Sequence, residues 1–465
     1  METCYRQTLL GQIDQKWLGR REVHWALLVL LAAVLIVPSV QSVARIRKSQ
    51  KSAYRAGGER QSTALGRWLP TAKVMADGSA DPYGPGHWFP TPPFVLMCLV
   101  PFYKMGFVSA AVVWATMKVA GFVITMALLI RELGRGGFKV PVGVLLAAGI
   151  FGIRPIISDL QHANLNIFVM IWIGLAWVLY LRGRDFLAGM LTALAIVTKV
   201  TPALLLLYFL YKRRWRICLG AAIGLAIFVL IIPGAYLGFQ KSIDEHVAWY
   251  HMLVEPYAKD GWVTLEIANQ SLYGALVRVL SNAGVLSVER MPMEKAMAVG
   301  MEDMARPVSV AGKLIRPAIS LGGLVCLGWL CRKGARRSGT ASSPKTDSSL
   351  EDWMELSLVL LAMLLMGERT WKHHATTLPI VYLAMWYGLT CWPLSEKFRS
   401  TMVAGLAVQF VLLVIGGEGF FGDRIADQML EGGFFCWGLV LAAVQTAMLL
   451  IKIRRISAEE AMPQG

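Results

Sequence analysis

The sequence predicts an all-α integral membrane protein that crosses the bilayer many times. Of its 465 residues, 56% are hydrophobic and only 16% are charged, whereas soluble domains average about 45–50% and 25%. Apolar runs of about 20 residues, the length that spans a bilayer as a helix, recur along the whole chain. The net charge of +16 comes from short Lys and Arg clusters between these runs. Such clusters are typical of cytoplasmic loops, so we expect membrane lipids and no nucleic acid as partners.

The apolar runs predict about 10–12 membrane helices. The first run follows the charged segment 1–23, and we interpret it as an uncleaved anchor. One long run is broken around Pro101–Gly106, which predicts two helices there. The predicted spans are 24–43, 93–130, 139–157, 163–181, 216–236, 313–331, 353–367, 373–391, 399–416 and 433–452.

One segment predicts a re-entrant helical hairpin. "LRGRD" (181–185) and "YKRRWR" (211–216) are both strongly basic, so both flanks are expected to face the cytoplasm. The apolar stretch between them is interrupted by "KVTP" (199–202), which predicts two half-helices with Lys199 and Pro202 as structural residues at the tip. Non-helical backbone at membrane depth must be buried in protein or line a polar cavity.

The alternation of basic and polar segments predicts the orientation: both termini in the cytoplasm and the inner (cell) membrane as the location. The first outer loop is unusually basic for that side, and its charges, Arg67 among them, suggest binding of an anionic ligand or lipid headgroup. The expected organisation is one membrane domain, 24–455, with outer loops 44–90 and 237–312, a cytoplasmic linker 332–352, and cytoplasmic segments 1–23 and 456–465.

Polar residues of two outer segments are candidate site residues. His373 and His374 in "GERTWKHH" are adjacent, a spacing that does not suit a metal site without further ligands, so we expect no metal; a polar helix cap is the alternative reading. Gln161 and Asn164 share a helical face and either join helices or contact a ligand. Arg154 lies inside a span, where a cation needs a partner, either Asp159 or a substrate phosphate. Nucleotide-binding and serine-hydrolase motifs are not found, and we expect no cofactor.

These segments together resemble glycosyltransferase family 87. Residues 160–216 show that family's Gln-x-x-Asn helix, Arg-Gly-Arg turn, Ala-Gly half-helix and Lys-x-x-Pro with a basic end. "YGPGHWFPTPPFVLMCLVPFYKMG" (83–106), "NQSLYGALVRVL" (269–280) and "ERTWKHH" (368–374) are similar to its Tyr-Pro-Pro, Asn-Gln-Ser-Leu and Trp-x-His-His segments. The similarity runs from roughly 60 to 450 in the same order.

The resemblance implies a GT-C-like architecture and transfer of a hexose, typically mannose, from a polyprenyl-phosphate donor on the outer face. The acceptor would be lipid-linked or another glycan. The resemblance also implies a catalytic carboxylate in the first outer loop. The family's usual Gly-x-Asp-Phe stretch is not evident there; Glu59 is the nearest substitute, and Asp77 and Asp81 are the other carboxylates.

The resulting hypothesis is a single displacement at the anomeric carbon. Glu59 or Asp81 would remove the acceptor proton. The groups expected to stabilise the departing lipid phosphate are Arg154, Arg369, Lys372, His373 and His374. The amides expected to hold sugar hydroxyls are those of Gln161, Asn164 and Asn269.

Three other functions remain open at this point. A transporter or flippase of lipid-linked sugars would carry polar residues on both faces and often an internal repeat, and no repeat is evident. A polysaccharide ligase or polymerase would differ in using a pyrophosphate-linked donor. A catalytically inactive family member acting as a scaffold would explain the missing aspartate.

Overall fold

Helices make up nearly all of the regular structure in the computed structural model, which describes residues 2–53, 63–79, 81–84, 89–136, 138–292, 303–332, 350–416 and 418–460. Within these ranges, seven helices are long and apolar enough to cross a membrane. Four shorter apolar helices accompany them. The protein is therefore an all-α, multi-pass membrane protein, as its sequence predicts.

The described residues form twenty helices, α1 to α20, numbered here in chain order. The first eleven are α1 (Glu2–Arg6), α2 (Leu9–Ile13), α3 (Arg21–Ala53), α4 (Ala64–Asp77), α5 (Pro93–Lys104), α6 (Phe107–Leu133), α7 (Val142–His162), α8 (Asn166–Leu181), α9 (Asp185–Thr198), α10 (Ala203–Tyr211) and α11 (Trp215–Leu237), the last containing a π-helical stretch. The others are α12 (Phe239–Leu253), α13 (Glu255–Ala258), α14 (Leu272–Asn282), α15 (Val310–Cys331), α16 (Leu350–Leu365), α17 (Leu378–Cys391), α18 (Glu396–Ile415), α19 (Glu418–Glu431) and α20 (Phe434–Glu460).

The predicted loop 237–312 contains a small folded unit. Besides α12, α13 and α14 it holds a three-stranded antiparallel sheet of β1 (Val263–Thr264), β2 (Val288–Arg290) and β3 (Met304–Pro307), with β3 in the centre. Val263 pairs with Ala305, and Val288 pairs with Pro307. Val263, Tyr273, Val277 and Ala305 form a separate small core beneath the sheet. This sheet is an exception to the predicted all-α structure.

Two predicted boundaries are wrong. The first span was expected to end at residue 43, but α3 continues to Ala53, and α4 adds a further helix to the predicted loop 44–90. Hydropathy detects only the apolar part of a helix, whereas Lys and Arg are also good helix formers. The span predicted from 373 begins later, because Lys372–His374 form a 3₁₀ turn and α17 starts at Leu378. The histidines therefore lie in the connection that precedes the helix.

The predicted break in the second run is confirmed. α5 ends at Lys104 and α6 begins at Phe107. Between them Gly106 adopts a φ of +79°, a left-handed conformation that a side chain disfavours. The chain reverses there, and Phe102 of α5 packs edge-on against Trp114 of α6 with ring centroids 5.3 Å apart.

α9 and α10 follow the path of the predicted re-entrant hairpin. The end of α10 returns to the end of α8, where α9 begins: Phe209 lies 5.4 Å from Tyr180 between ring centroids, and the Arg214 Nη2 donates to the Tyr180 hydroxyl at 3.0 Å. At the other end, the Lys199 Nζ donates to the Asn166 Oδ1 at 2.9 Å. Asn166 is the first residue of α8, so the tip of the hairpin reaches the level at which α8 starts.

The base of the hairpin is held by a buried carboxylate. Glu355 of α16 is fully buried. It accepts from the Tyr208 hydroxyl at 2.8 Å, forms an ion pair with Lys212 at 2.7 Å and pairs with Arg454 of α20. This cluster fixes the ends of α10, α16 and α20 to one another.

Candidate active site

A cavity lies at the tip of the hairpin. Its walls come from the start of α8, the 199–201 turn, the end of α16 and the segment between α16 and α17. The basic side chains of Lys199, Arg369 and His374 meet at this cavity. The lining residues are Asn166, Val169, Lys199, Thr201, Met363, Leu364, Arg369, Thr370, His374, Thr376 and Thr377.

Lys199 is held at the cavity wall by a chain of buried polar groups. The Asn166 side chain accepts from Lys199 and donates its Nδ2 to the Asp159 Oδ2 at 3.0 Å. The Asn166 backbone N–H donates to the same oxygen at 3.1 Å. The other Asp159 oxygen pairs with Lys118 of α6, and both of these side chains are fully buried. The chain orients the ammonium group of Lys199, so this residue both secures the hairpin tip and faces the cavity.

Arg369 reaches the cavity from the 366–377 connection. Its Nε donates to the Tyr257 hydroxyl at 2.8 Å, and its guanidinium lies over the Tyr257 ring, 5.3 Å from the centroid. Burial raises the pKa of Tyr257 to about 12, so the phenol is neutral and does not compensate the positive charge of Arg369. Cations gathered at a partly dry cavity favour an anionic ligand.

Asn269 braces this connection from below. Its Oδ1 accepts from the backbone N–H groups of Thr370 and Ser271, both at 3.1 Å. Its Nδ2 donates to the Thr264 carbonyl at 3.0 Å and to the Glu368 carbonyl at 3.4 Å. The residue is fully buried. All of its hydrogen-bonding capacity is directed at backbone, so its geometry suits a brace and not the predicted contact with a sugar.

His373 and His374 lie in the turn beside the cavity. The His373 Nε2 is 3.2 Å from the Asn164 Nδ2, and the His373 ring stacks on His162 with centroids 5.0 Å apart. The His374 Nδ1 lies 3.0 Å from the Arg369 carbonyl. Burial, with a further contribution from nearby cations, lowers the pKa of both imidazoles well below its usual value. Both rings are therefore neutral near pH 7 and act through hydrogen bonds, not through charge.

Glu368 adjoins Arg369 in the same connection. Its Oε2 pairs with the Arg316 Nη2 of α15 at 2.7 Å. Its Oε1 is buried and has no hydrogen-bond donor among the described residues. Burial raises the pKa of this carboxyl to about 7, although Arg316 and Arg369 both favour the ionised form.

Two residues predicted to bind substrate lie in other contacts. The Arg154 guanidinium donates to the carbonyls of Leu413, Val414 and Gly416 at 2.8–3.2 Å, which satisfies free carbonyls at the end of α18. Asp159, one of the two partners expected for Arg154, is paired with Lys118. The Gln161 Nε2 donates to the Gln41 Oε1 of α3 at 3.0 Å on an exposed surface.

Of the remaining residues predicted for the site, Glu59 lies outside the part of the chain that the structure describes. Asp81 is exposed, and its Oδ1 accepts from the Tyr83 N–H at 2.7 Å in a local turn. An Asp before Pro favours such a turn, which is the alternative to a catalytic role for this residue. Arg67 of α4 contributes to lowering the pKa of His373 and so lies in its vicinity. Lys372 is half-buried in the turn, and Pro202 lies at the start of α10.

Sequence reasoning missed Lys118 and Glu368. Lys118 is a charged residue in the middle of an apolar run, which by itself is a sign of a functional or paired group. Glu368 lies in the motif that drew attention for its histidines and lysine. No sequence signal, however, indicates that one of its oxygens is buried without a donor among the described residues. The surroundings of this side chain, including Arg316, come from distant parts of the chain.

The comparisons with known proteins concern the same region. Residues 89–301, which contribute Asp159, Asn166 and Lys199 to the site, match the sequence model of glycosyltransferase family 87. The matched segment makes up slightly less than half of the chain. The family 87 match and the resemblance seen in the sequence motifs agree.

Three curated proteins that are similar to this chain are mannosyltransferases of mycobacteria. A polyprenol-phosphate-mannose-dependent alpha-(1-2)-phosphatidylinositol mannoside mannosyltransferase of Mycolicibacterium smegmatis is 25% identical over 57% of this chain and 56% of its own length. An enzyme of the same description from Mycobacterium tuberculosis is 25% identical over 56% of the chain and 61% of its own length. A pentamannoside mannosyltransferase from Mycobacterium tuberculosis is 25% identical over 42% and 43%. The chain thus matches between 43% and 61% of the length of these relatives. No solved structure matches it significantly.

Proposed function

We propose that the protein is a membrane mannosyltransferase that uses a polyprenyl-phosphate-mannose donor and a lipid-linked or glycan acceptor. The observation that carries this proposal is the cavity where Lys199 and Arg369 meet. Two cations in a partly dry site stabilise negative charge far better than they would in water. The charge that develops in this reaction is that of the departing lipid phosphate. The family 87 match and the donor in the relatives' names support the same donor class.

The proposed roles follow the contacts of each side chain. Lys199 and Arg369 hold the phosphate, and His374 adds a neutral hydrogen-bonding group. Asn164 and His373, which contact each other beside the cavity, are placed to bind sugar hydroxyls. Arg67 lies near His373 and is a further candidate for the donor phosphate. Arg154, Gln161 and Asn269 have structural roles in this proposal.

The proposed orientation places the cavity on the outer face. Basic residues cluster at the base of the hairpin, next to the ends of α8 and α10, and the cavity lies at its tip. Because basic loops remain in the cytoplasm, the tip points outward and both termini are cytoplasmic. A lipid-linked donor would reach such a site from the bilayer without any soluble nucleotide sugar.

A transfer assay with isolated membranes and radiolabelled polyprenyl-phosphate mannose tests the proposal. We expect Arg369→Gln and Lys199→Met to reduce transfer by about 10²-fold or more, as the loss of a charge-stabilising group does in other enzymes. Arg290→Gln and Lys259→Met are matched controls, because both side chains are more than half exposed in surface ion pairs. Wild-type membranes that transfer no mannose, or variants that match the controls, would refute the proposal.

A further inference from the structure

The proposed reaction requires a base, and the described carboxylates differ in whether they can serve. Asp159 lies near the cavity, but both of its oxygens are occupied, one by Lys118 and the other by two N–H groups of Asn166. Glu355 is neutralised at the opposite end of the hairpin. Glu245 of α12 also has a buried oxygen without a donor among the described residues, but it interacts with Asp81 and does not adjoin a cavity-lining residue. Glu368 has a free oxygen and adjoins a cavity-lining residue.

A frame of contacts holds Glu368 in place. Its backbone carbonyl accepts from the Asn269 Nδ2 at 3.4 Å and from the Ser271 hydroxyl at 3.3 Å. Arg316 fixes one carboxylate oxygen and also donates to the Tyr257 carbonyl. The Tyr257 hydroxyl in turn accepts from Arg369. These contacts orient the carboxylate relative to the Arg369 guanidinium that would hold the donor phosphate.

The second carboxylate oxygen has no hydrogen-bond donor within the described parts of the chain. A buried acceptor without a donor is destabilising, and such an atom in a native structure calls for an explanation. The Glu368 side chain as a whole is 22% exposed, although the free oxygen itself is buried. An acceptor hydroxyl is a donor that would satisfy the free oxygen.

We propose that Glu368 is the general base of the transfer reaction, with its Oε1 accepting the proton of the acceptor hydroxyl. The acceptor oxygen then forms a bond to the anomeric carbon of mannose as the bond from that carbon to the phosphate oxygen breaks. The phosphate oxygen keeps the electron pair, polyprenyl phosphate leaves, and the proton remains on Glu368 until it passes to water. This inference rests on the proposed function.

The electrostatics of the site agree with this role. A general base works best when its pKa lies near the working pH, and burial brings the pKa of Glu368 to about 7. The charged groups that face it are Arg316 and Arg369, and Tyr257 and Tyr273 are the neighbouring titratable groups. Because the base must be ionised, transfer is expected to rise with pH through about 7.

Rates of transfer and binding of polyprenyl phosphate, measured on the purified full-length protein, test this inference. We expect Glu368→Gln to lower kcat by about 10²–10⁴-fold and to leave the dissociation constant for polyprenyl phosphate unchanged, since the amide still accepts from Arg316. Sodium formate is expected to restore part of the activity of Glu368→Ala. Glu289→Gln is the matched control, because this exposed glutamate forms a similar pair with Arg306 at 2.9 Å.

The pH profile separates a base from a structural ion pair. Arg316 lowers the pKa of Glu368 more than Arg369 does. In Arg316→Gln the acidic limb of the profile should therefore move to higher pH. In Glu368→Gln that limb should vanish from the residual activity. Two results would overturn the inference: transfer by Glu368→Gln at the wild-type rate, or a loss of transfer that formate does not restore while the acidic limb is retained. The inference would also fail if Glu59→Gln or Asp81→Asn abolished transfer and Glu368→Gln did not. Absence of transfer by the wild type would instead refute the proposed function.

Discussion

At the scale of single residues, the partners of each hydrogen bond distinguish structural polar side chains from side chains that can bind a ligand. Asn269 and Arg278 are both buried, and both bond to backbone atoms: the Arg278 guanidinium donates to the carbonyls of Glu266, Asn269 and Leu430 at 2.9–3.0 Å. Such groups stabilise a fold that has few regular elements in this region. Lys199 and Arg369, in contrast, have donors left for a ligand at the cavity.

Replacing Asn269 by alanine is expected to destabilise the protein. The change removes the oxygen that accepts from the buried N–H groups of Thr370 and Ser271, which should lower the free energy of unfolding by about 3 kcal/mol. Thermal unfolding in detergent measures this loss. Asn282→Ala is the control, since the exposed Asn282 makes one bond to Glu431 at 2.9 Å, and its effect should stay within about 0.5 kcal/mol. An Asn269→Ala protein of normal stability with weakened donor binding would contradict the brace.

At the scale of elements, buried charges determine how the hairpin packs against its neighbours. The Lys118–Asp159 pair joins α6 to α7 and, through Asn166, orients Lys199 at the tip. The Glu355 cluster holds the base. The apolar contacts between α8, α9 and α10, such as Phe209 on Trp177 and Tyr180, supply the rest. The two ends of the hairpin are thus anchored to different helices.

A double-mutant cycle on Lys118 and Asp159 measures the coupling between α6 and α7. Lys118→Met alone leaves a buried carboxylate uncompensated and should cost about 3–5 kcal/mol, and Asp159→Asn alone should cost a similar amount. The double variant should cost clearly less than the sum of the two. The exposed pair Glu255–Lys259 serves as control and should show much weaker coupling, because solvent screens it. Additive effects at Lys118 and Asp159 would show that the pair is not energetically coupled.

At the scale of the whole molecule, polar groups are distributed unevenly between the two ends of the helix bundle. The cavity and the histidines lie at the end where the hairpin has its tip. At the opposite end, Glu355, Lys212 and Arg454 neutralise one another. A transporter would need a polar path between the two ends, whereas an enzyme that acts on one face needs only one site. This asymmetry favours a transferase.

Labelling of single cysteines tests the proposed orientation. In a variant with the seven native cysteines replaced, Arg184→Cys and Arg213→Cys place thiols in exposed turns at the base of the hairpin. His251→Cys places one on α12, where the native side chain is 60% exposed. A membrane-impermeant maleimide should label position 251 in intact cells and positions 184 and 213 only after lysis. The reverse pattern would place the cavity on the cytoplasmic side and contradict the proposal.

The membrane class, most of the spans and the break between α9 and α10 follow from the amino-acid sequence alone. Each of these depends on local properties: apolar length, basic flanks and the proline that interrupts a helix. The same properties brought Arg369, His373 and His374 to attention, because charge before an apolar run is visible in one short segment. The end of α3 was misjudged since helix propensity continues where hydropathy stops.

Which polar residues contact one another depends on the packing of the helices. Asn164 and His373 are 209 positions apart, and Arg154 lies 259 positions from the carbonyl of Leu413 that it contacts. Spacing within a helix cannot indicate such contacts, because they depend on how separate helices pack. The same packing pairs Asp159 with Lys118, directs Lys199 to the cavity and leaves one oxygen of Glu368 without a donor.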